Sequence, residues 1–158
     1  MSPINFVIAI PTFNSLENLK IAINSVLRQS TPSHIKVMIA ISNIASGDGT
    51  YEYLETLKDN KNFFIHNGPF ENTDSQSMNF YCLGEVIPKT ADWVWLLGDD
   101  DKLDNNSILE VCRVLEKNNE SELELLVACS SKRTTNSKKI VKKENFGLCD
   151  EFGYHEML

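Results

Sequence analysis

Three consecutive aspartates, Asp99, Asp100 and Asp101, are the residues with the clearest chemical potential in this sequence. They follow Gly98 and an apolar run at residues 93–97, whose composition is typical of a strand buried on both faces. Adjacent carboxylates repel one another, and a site that keeps them together usually offsets the cost with a hard cation. An acidic turn that caps the next helix is the alternative, but the preceding strand argues against it. We therefore predict that the three aspartates bind magnesium or manganese, which in turn holds a phosphate.

The overall composition limits the classes of function. The chain has 158 residues, 42% of them hydrophobic, which is enough for one globular domain with a core. Its formal net charge of −7 argues against non-specific binding to nucleic acid, because phosphates need a basic surface. An anionic ligand would therefore need a local cation.

The cysteines and the apolar runs indicate the compartment. Cys82, Cys112, Cys129 and Cys149 include no Cys-x-x-Cys pair, which predicts reduced structural thiols rather than disulfides or zinc ligands. The N-terminus has no basic segment, and no apolar run approaches the ~20 residues of a membrane span. We expect a cytoplasmic chain without a transmembrane segment. A peripheral position at the inner face of a membrane is compatible with this expectation.

Strands and helices alternate along the chain. The apolar patterns predict strands at residues 6–10, 35–41, 62–66, 93–97 and 123–128. The intervening helices are predicted at residues 14–30, 51–58 and 74–86 and after Asp104. Asn14, Thr50 and Asp104 are the predicted caps of the first, second and fourth helices. Asn14 would form a capping box with Glu17. Residues 130–143, which are rich in lysine, are predicted to form an exposed loop. This order predicts an α/β fold, a Rossmann-like layer with a mostly parallel central sheet.

Three polar loops follow strands of the predicted sheet. They are the loop at residues 11–14, the loop at residues 43–48 and the aspartates at 99–101. A parallel arrangement gathers such loops at one carboxyl-end crevice, which is where α/β sheets bind ligands. The first two loops offer polar groups for a base and a ribose, and the third offers a metal for a diphosphate. A sugar nucleotide fits such a site.

Four motifs in this order resemble those of family two glycosyltransferases, which have the GT-A fold. They are the strand that ends at residues 11–14, the helix that reaches residues 25–29, the loop at 42–50 and the segment at 96–101. The resemblance covers residues 4–129 and implies a GT-A sandwich that is incomplete at its C-terminus. Residues 1–129 would be the donor-binding α/β domain. Residues 130–158 would be the basic loop and the start of a truncated acceptor-binding part.

The resemblance also implies the site residues. A divalent metal, manganese or magnesium, would lie on Asp99, Asp100 and Asp101. The family usually has an aspartate in place of Asn43, which leaves the identity of the base open. Gly98 stands where the first residue of Asp-x-Asp-Asp is expected, so either Asp100 or Asp99 works with Asp101, and we favour Asp100. The implied nucleotide-binding residues are Pro11, Thr12, Asn14, Asn43, Asp48, Asp99 and Asp100.

The implied activity is transfer of a sugar from a nucleotide-diphosphate sugar to a saccharide or another hydroxyl acceptor. The setting would be synthesis of cell-surface polysaccharide or lipooligosaccharide, with a glycan or lipid-linked acceptor. The family's general base lies in a later half, so no catalytic residue is assigned, and we expect the chain alone to bind the donor without brisk transfer. Asp150, Glu151 and Glu156 match no motif and are interpreted as surface charges.

Other classes of function account for fewer of these features than glycosyl transfer does. A non-catalytic nucleotide-sugar-binding module stays open, because the chain is short. A nucleotidyltransferase-like enzyme usually has a glycine-rich, basic loop after its first strand, and residues 11–14 have neither feature. A phosphoacceptor receiver domain has its acidic residues in a different order along the strands. His34, His66 and His155 lack the spacing of metal ligands.

Overall fold

A computed structural model describes residues 3–68 and 76–117, together with the backbone of two short strands at 126–127 and 147–148. Strands and helices alternate as predicted, with their ends shifted by a few residues. The strands of the main sheet are β1 (Ile4–Thr12), β2 (Ile35–Ile44), β3 (Phe63–Gly68) and β4 (Trp93–Leu96). The helices are α1 (Leu16–Leu27), α2 (Thr50–Glu55), α3 (Gln76–Val86) and α4 (Ser107–Lys117).

The four strands form a parallel sheet in the order β3-β2-β1-β4, which confirms the predicted sheet. Residues 6–10 of β1 are at most 3% exposed, so both faces of this strand are covered, as is usual for parallel sheets. On one face Val7 and Ala9 pack with Met38 and with Leu83 of α3. The centre of the hydrophobic core therefore lies on β1 and β2.

The prediction that residues 93–97 are buried on both faces is wrong. Val94 and Leu96 are 48% and 55% exposed. They pair with Val7 and Ala9 and so lie on the face that α3 covers, but α3 packs mainly over β2 and β1. On the opposite face Trp95 makes an edge-to-face contact with Phe6, with ring centroids 6.5 Å apart. An apolar run in the sequence shows the type of side chain, but it does not show how much of the strand the neighbouring helix covers.

The predicted helix caps also need correction. Asn14 does not cap α1, because it has a positive φ of 48° and Ser15 precedes the helix without a side-chain cap. Thr50 is the first residue of α2 rather than its cap, which is Gly49. The fourth helix begins at Ser107, three positions after Asp104. Its predicted apolar side is confirmed, since Ile108, Val111, Cys112 and Leu115 are all buried.

One side chain, Asp48, binds the first turns of two helices. Its Oδ2 accepts a hydrogen bond from the Leu16 N–H at 2.8 Å. Its Oδ1 accepts from the Thr50 N–H at 3.1 Å and from the Thr50 hydroxyl at 2.6 Å. These bonds satisfy N–H groups that have no partner within a first helical turn. The hydroxyl bond from Thr50, followed by the Leu16 N–H, lowers the pKa of the Asp48 carboxyl below its ordinary value.

Contacts divide the chain into two compact units, Met1–Val111 and Cys112–Leu158. In the second unit, β5 (Leu126–Val127) pairs antiparallel with β6 (Gly147–Leu148) as a separate sheet. The fifth strand is thus confirmed only at 126–127, and the rest of its predicted range lies outside the described residues, as does the basic loop at 130–143. The contact boundary falls inside α4, and the division into donor and acceptor parts at 129/130 stays a prediction.

Two further expectations concern the thiols and the helices. Cys82 and Cys112 are buried, as predicted for structural thiols, and the other two cysteines lie outside the described residues. Within residues 3–68 and 76–117, no helix has both the length and the apolar character needed to cross a bilayer.

The first prediction concerns the stability of the two helix starts. Replacing Asp48 by alanine removes acceptors from both, and we expect a loss of about 1–2 kcal/mol in the free energy of unfolding, measured by urea denaturation. Asp59→Ala is the matched control, because Asp59 is exposed and lies beyond α2. Equal unfolding midpoints for the two variants would show that Asp48 stabilises neither helix.

The second prediction is the pH dependence of that stabilisation. The folded-state pKa of Asp48 lies below the value of ~3.9 in the unfolded chain, so its contribution is complete above the unfolded value and is lost as pH falls through the folded one. The stability difference between the protein and Asp48→Ala should therefore narrow when urea denaturation is repeated from about pH 6 down to about pH 3. A constant difference would contradict the lowered pKa.

Candidate functional site

The carboxyl ends of β1, β2 and β4 lie at the same edge of the sheet, as predicted. Together with α3 they form a cleft of about 540 Å³, a size that suits a small-molecule ligand. Among the predicted site residues, Pro11, Thr12, Asp99 and Asp100 line this cleft. The other lining residues are Phe13, Ile44, Gln76, Asn79, Phe80, Leu96, Leu97 and Gly98.

A hydrogen bond connects the first loop to the aspartates. The Leu97 N–H donates to the Ala9 carbonyl at 2.9 Å, which continues the pairing of β1 and β4 up to the cleft. Just beyond it, the Thr12 hydroxyl donates to Asp99 Oδ2 at 2.8 Å, and Thr12 is only 1% exposed. The carboxylate of Asp99 is therefore held against the end of β1.

The carboxylates of Asp100 and Asp101 both approach Gly98. A β-carbon at position 98 would lie 2.9 Å from Asp100 Oδ1 and 3.0 Å from Asp101 Oδ2. Any side chain there would displace one of these groups. The glycine at this position of the motif thus gives the two carboxylates a common space. Both side chains are exposed to solvent, and of the two Asp100 is among the residues that line the cleft.

This arrangement suits a metal that arrives with its ligand. Within residues 3–68 and 76–117, no group of three acidic, histidine or cysteine side chains is gathered as a preformed metal centre. Asp100 and Asp101 supply the oxygen donors that magnesium and manganese prefer, and magnesium in particular usually takes its remaining ligands from water and substrate phosphates. Asp99 instead accepts its bond from Thr12. The residues fit a divalent ion, and the metal site stays a prediction.

Three other predicted nucleotide-binding residues connect the loops to one another. Asn14 donates its N–H to the Ser46 hydroxyl and accepts from the Gly47 N–H through Oδ1, each at 2.8 Å. Asp48 binds the first turns of α1 and α2, as described above. With Asn43, these residues lie outside the described lining of the cleft. Their side chains fix the positions of the first two loops, and direct contact with a nucleotide stays a prediction.

Asn43 departs from the family pattern, and its surroundings explain why. It is fully buried, and its Nδ2 donates to Asn67 Oδ1 at 2.8 Å while its Oδ1 accepts from the Ser46 hydroxyl. Asn67 presents its oxygen because its own Nδ2 donates to the Tyr51 carbonyl and to Glu55. An ionised aspartate at position 43 would have no donor for that oxygen. The amide of Asn43 is therefore the side chain that Asn67 requires.

The motif at residues 25–29 fixes the chain beyond the aspartates, a role that sequence analysis missed. Ser25 Oγ accepts from the Leu103 N–H at 2.9 Å. Gln29 donates through Nε2 to the Asp104 carbonyl at 2.9 Å and accepts through Oε1 from the Ile108 N–H at 3.2 Å. Ser25, which lies in α1, and Gln29, which lies just after it, therefore hold both the loop after the aspartates and the first turn of α4.

Sequence analysis also missed the residues that α3 contributes to the cleft. Asn79 is 5% exposed and donates through Nδ2 to the Thr12 carbonyl at 2.9 Å. Phe80, next to it, is 39% exposed. The apolar pattern of this helix is only partial, because one buried position carries an amide rather than an apolar group. That polar residue inside an otherwise apolar face was the available signal.

Known structures show the same fold. A crystal structure of TarS from S. aureus matches with a TM-score of 0.58 and 16% identity, over 72% of this chain and 20% of TarS. TarS residues 1–349 in complex with UDP matches with a TM-score of 0.58 and 17% identity, over 72% of this chain and 32% of that one. These matches confirm the predicted α/β fold of the GT-A type.

Sequence comparison identifies the family. Abequosyltransferase RfbV of Salmonella typhimurium (strain LT2) is 33% identical over 99 residues, which are 63% of this chain and 29% of RfbV. This chain thus spans less than a third of that relative's length. Residues 7–145 match the family described as Glycosyl transferase family 2. The shared fold, the cleft at the carboxyl edge and this match together mean that the chain belongs to glycosyl transferase family 2.

Proposed function

We propose that this chain is the donor-binding part of a glycosyltransferase that takes a sugar from a nucleotide-diphosphate sugar and transfers it to a hydroxyl acceptor. The supporting observation is the cleft itself, which is lined both by carboxylates, Asp99 and Asp100, and by aromatic rings, Phe13 and Phe80. A nucleotide combines the matching groups, charged phosphates that a metal on the carboxylates can bind and a flat base that can stack on a ring. The activity of the whole enzyme is part of the proposal, because the chain spans only a fraction of its relatives.

The residues of this chain would bind and orient the donor. Pro11, Thr12, Asp99 and Asp100 line the cleft and would contact the nucleotide. Asn14, Asn43 and Asp48 would act mainly by fixing the two loops, since their side chains already bond within the protein. Such pre-formed loops reduce the entropy that a ligand loses when it orders its site.

Asp100 and Asp101 would hold the metal. A bound divalent ion would stabilise the negative charge that develops on the departing nucleoside diphosphate. Asp99 would keep the motif against β1 through the Thr12 hydroxyl while the other two carboxylates remain free to take the ion. The residue that accepts the proton of the acceptor hydroxyl is not assigned.

The relatives support the class of donor and the setting. RfbV is named an abequosyltransferase, and TarS residues 1–349 have been solved in complex with UDP-GlcNAc, at 19% identity to this chain. We propose a nucleotide-sugar donor and a glycan or lipid-linked acceptor, in the synthesis of cell-surface polysaccharide or lipooligosaccharide. The proposed location is cytoplasmic, at the inner face of the membrane, where free thiols such as Cys82 stay reduced.

The third prediction tests the metal and the donor together. Because two carboxylates bind a cation better when a diphosphate supplies further ligands, UDP or CDP should bind more tightly with manganese than with a chelator in calorimetry. Asp101→Asn should remove the metal-dependent part of the affinity and leave the circular dichroism spectrum unchanged. The control is Asp59→Asn, an exposed aspartate outside the site. Equal affinities with manganese and with chelator would refute the proposed metal site.

The fourth prediction tests the space beside Gly98. Alanine there would displace the carboxylate of Asp100 or Asp101 from its present position, whereas the backbone accepts it because Gly98 has no positive φ. We expect manganese-dependent nucleotide affinity to fall about 10- to 100-fold, as for other changes that misplace metal ligands, while the urea midpoint stays near that of the parent. Gly84→Ala is the control, since a β-carbon there meets nothing within 4 Å. Unchanged affinity in Gly98→Ala would mean that the two carboxylates do not share the ion.

A further inference from the structure

Asn79 has a buried polar atom without a partner. Its Oδ1 accepts no hydrogen bond from the residues that the structure describes, although the residue is only 5% exposed and lines the cleft. A buried oxygen that has lost water and gained no donor costs free energy. Such an atom at the wall of a ligand cleft marks a place where a ligand can supply the missing donor.

The orientation of the Asn79 amide follows from its other contact. The Thr12 carbonyl can only accept a hydrogen bond, so the nitrogen of Asn79 must face it, at 2.9 Å. The oxygen is then directed away from that carbonyl, and rotating the amide would place two acceptors against each other. Asn79 therefore offers a ligand one acceptor, its Oδ1, while its Nδ2 donates to the Thr12 carbonyl.

The cleft that Asn79 lines also carries aromatic side chains, which suit a flat ring rather than a phosphate. Phe13, Ile44 and Phe80 line the same cleft, and the two aromatic rings are 49% and 39% exposed. Exposed aromatic side chains in a cleft provide faces on which a base can stack. The acidic part of the cleft, at Asp99 and Asp100, needs a cation before it can take phosphates. The base is thus the part of the nucleotide that suits the uncharged lining residues of the cleft, Asn79 among them.

We propose that Asn79 is a specificity-determining residue, whose Oδ1 accepts a hydrogen bond from the N–H group on the pairing edge of a pyrimidine base. The inference rests on the proposed function, because it assigns the base of the same donor. A pyrimidine presents one donor group on this edge, the ring N3–H of uracil or the amino group of cytosine, and Asn79 presents one acceptor. Guanine presents two neighbouring donor groups, one of which would be left without a partner.

Asn43 cannot provide the same selection in this chain. Its carbonyl oxygen already accepts from Ser46 and its nitrogen already donates to Asn67, both in a fully buried position. Asn79 has an acceptor to spare and lies at the cleft wall. Base recognition in this chain is thereby assigned to α3 rather than to the end of β2.

The experiment compares nucleotides with and without the donor group, on the complete 158-residue chain with manganese present. Calorimetry measures UDP against N3-methyl-UDP and CDP against N4,N4-dimethyl-CDP, with GDP and ADP as purine arms. For the pyrimidine that binds better, methylation should weaken binding about tenfold or more, because the buried oxygen of Asn79 again lacks a donor. The arm that shows the loss identifies the base as uracil or cytosine. A purine that binds more tightly than both pyrimidines overturns the proposal.

The variant Asn79→Ala assigns the effect to this residue. In Asn79→Ala the unmodified and methylated nucleotides should bind with nearly equal affinity, whereas Glu85→Ala, at an exposed position of the same helix, should keep the full difference. If Asn79→Ala fails to fold, as judged by circular dichroism, the comparison on the unmodified protein decides. Equal binding of the methylated and unmethylated forms to that protein overturns the role of Asn79 and leaves the proposed function in place. Absence of any nucleotide binding overturns both.

Discussion

β1 is hydrogen-bonded to a parallel strand on each side, and this pairing sets the positions of the cleft residues at the ends of β1, β2 and β4. Thr12 lies opposite Asn43 of β2, and Ala9 lies opposite Leu96 of β4. A slip of one residue in either register would turn the polar end of a strand to the opposite face of the sheet. The bond between Thr12 and Asp99 exists only in the observed register. The position of the site thus depends on a strand whose residues 6–10 are buried and apolar.

Polar side chains extend this order from the sheet into the loops. Asn67, Asn43, Ser46 and Asn14 form a continuous series of hydrogen bonds from the end of β3 to the loop after β1. The bonds of Asn43 are costly to break, because this residue is fully buried and each lost partner leaves one of its polar atoms without solvent. Loops that would otherwise be mobile therefore present fixed backbone positions to a ligand, and Asp48 adds the two helix starts to the same assembly.

The sequence predicted the fold well because periodicity and apolar runs are local properties. It also placed the three loops at one edge, since parallel strands require this. It did not predict the exposure of Val94, which depends on how far α3 extends over the sheet. Nor did it explain the amide of Asn43, whose partner Asn67 is 24 residues away. The residue type of Asn14 predicts a helix cap, but its side chain bonds across to the second loop instead.

The contacts of Ser25 and Gln29 have a consequence for how the protein is made. They join residues that are 75 to 79 positions apart in the chain, so they close a long loop and form late compared with local contacts. A nascent chain that has emerged only as far as β3 contains both polar loops, but these two side chains can then bind only carbonyls of their own helix, those of Ala22 and Ser25. The acceptors Ser25 Oγ and Gln29 Oε1 therefore gain their partners, the N–H groups of Leu103 and Ile108, only when the chain has emerged as far as α4. Because the chain emerges from its N-terminus, the aspartate segment leaves the ribosome after both of the polar loops beside which it lies in the fold.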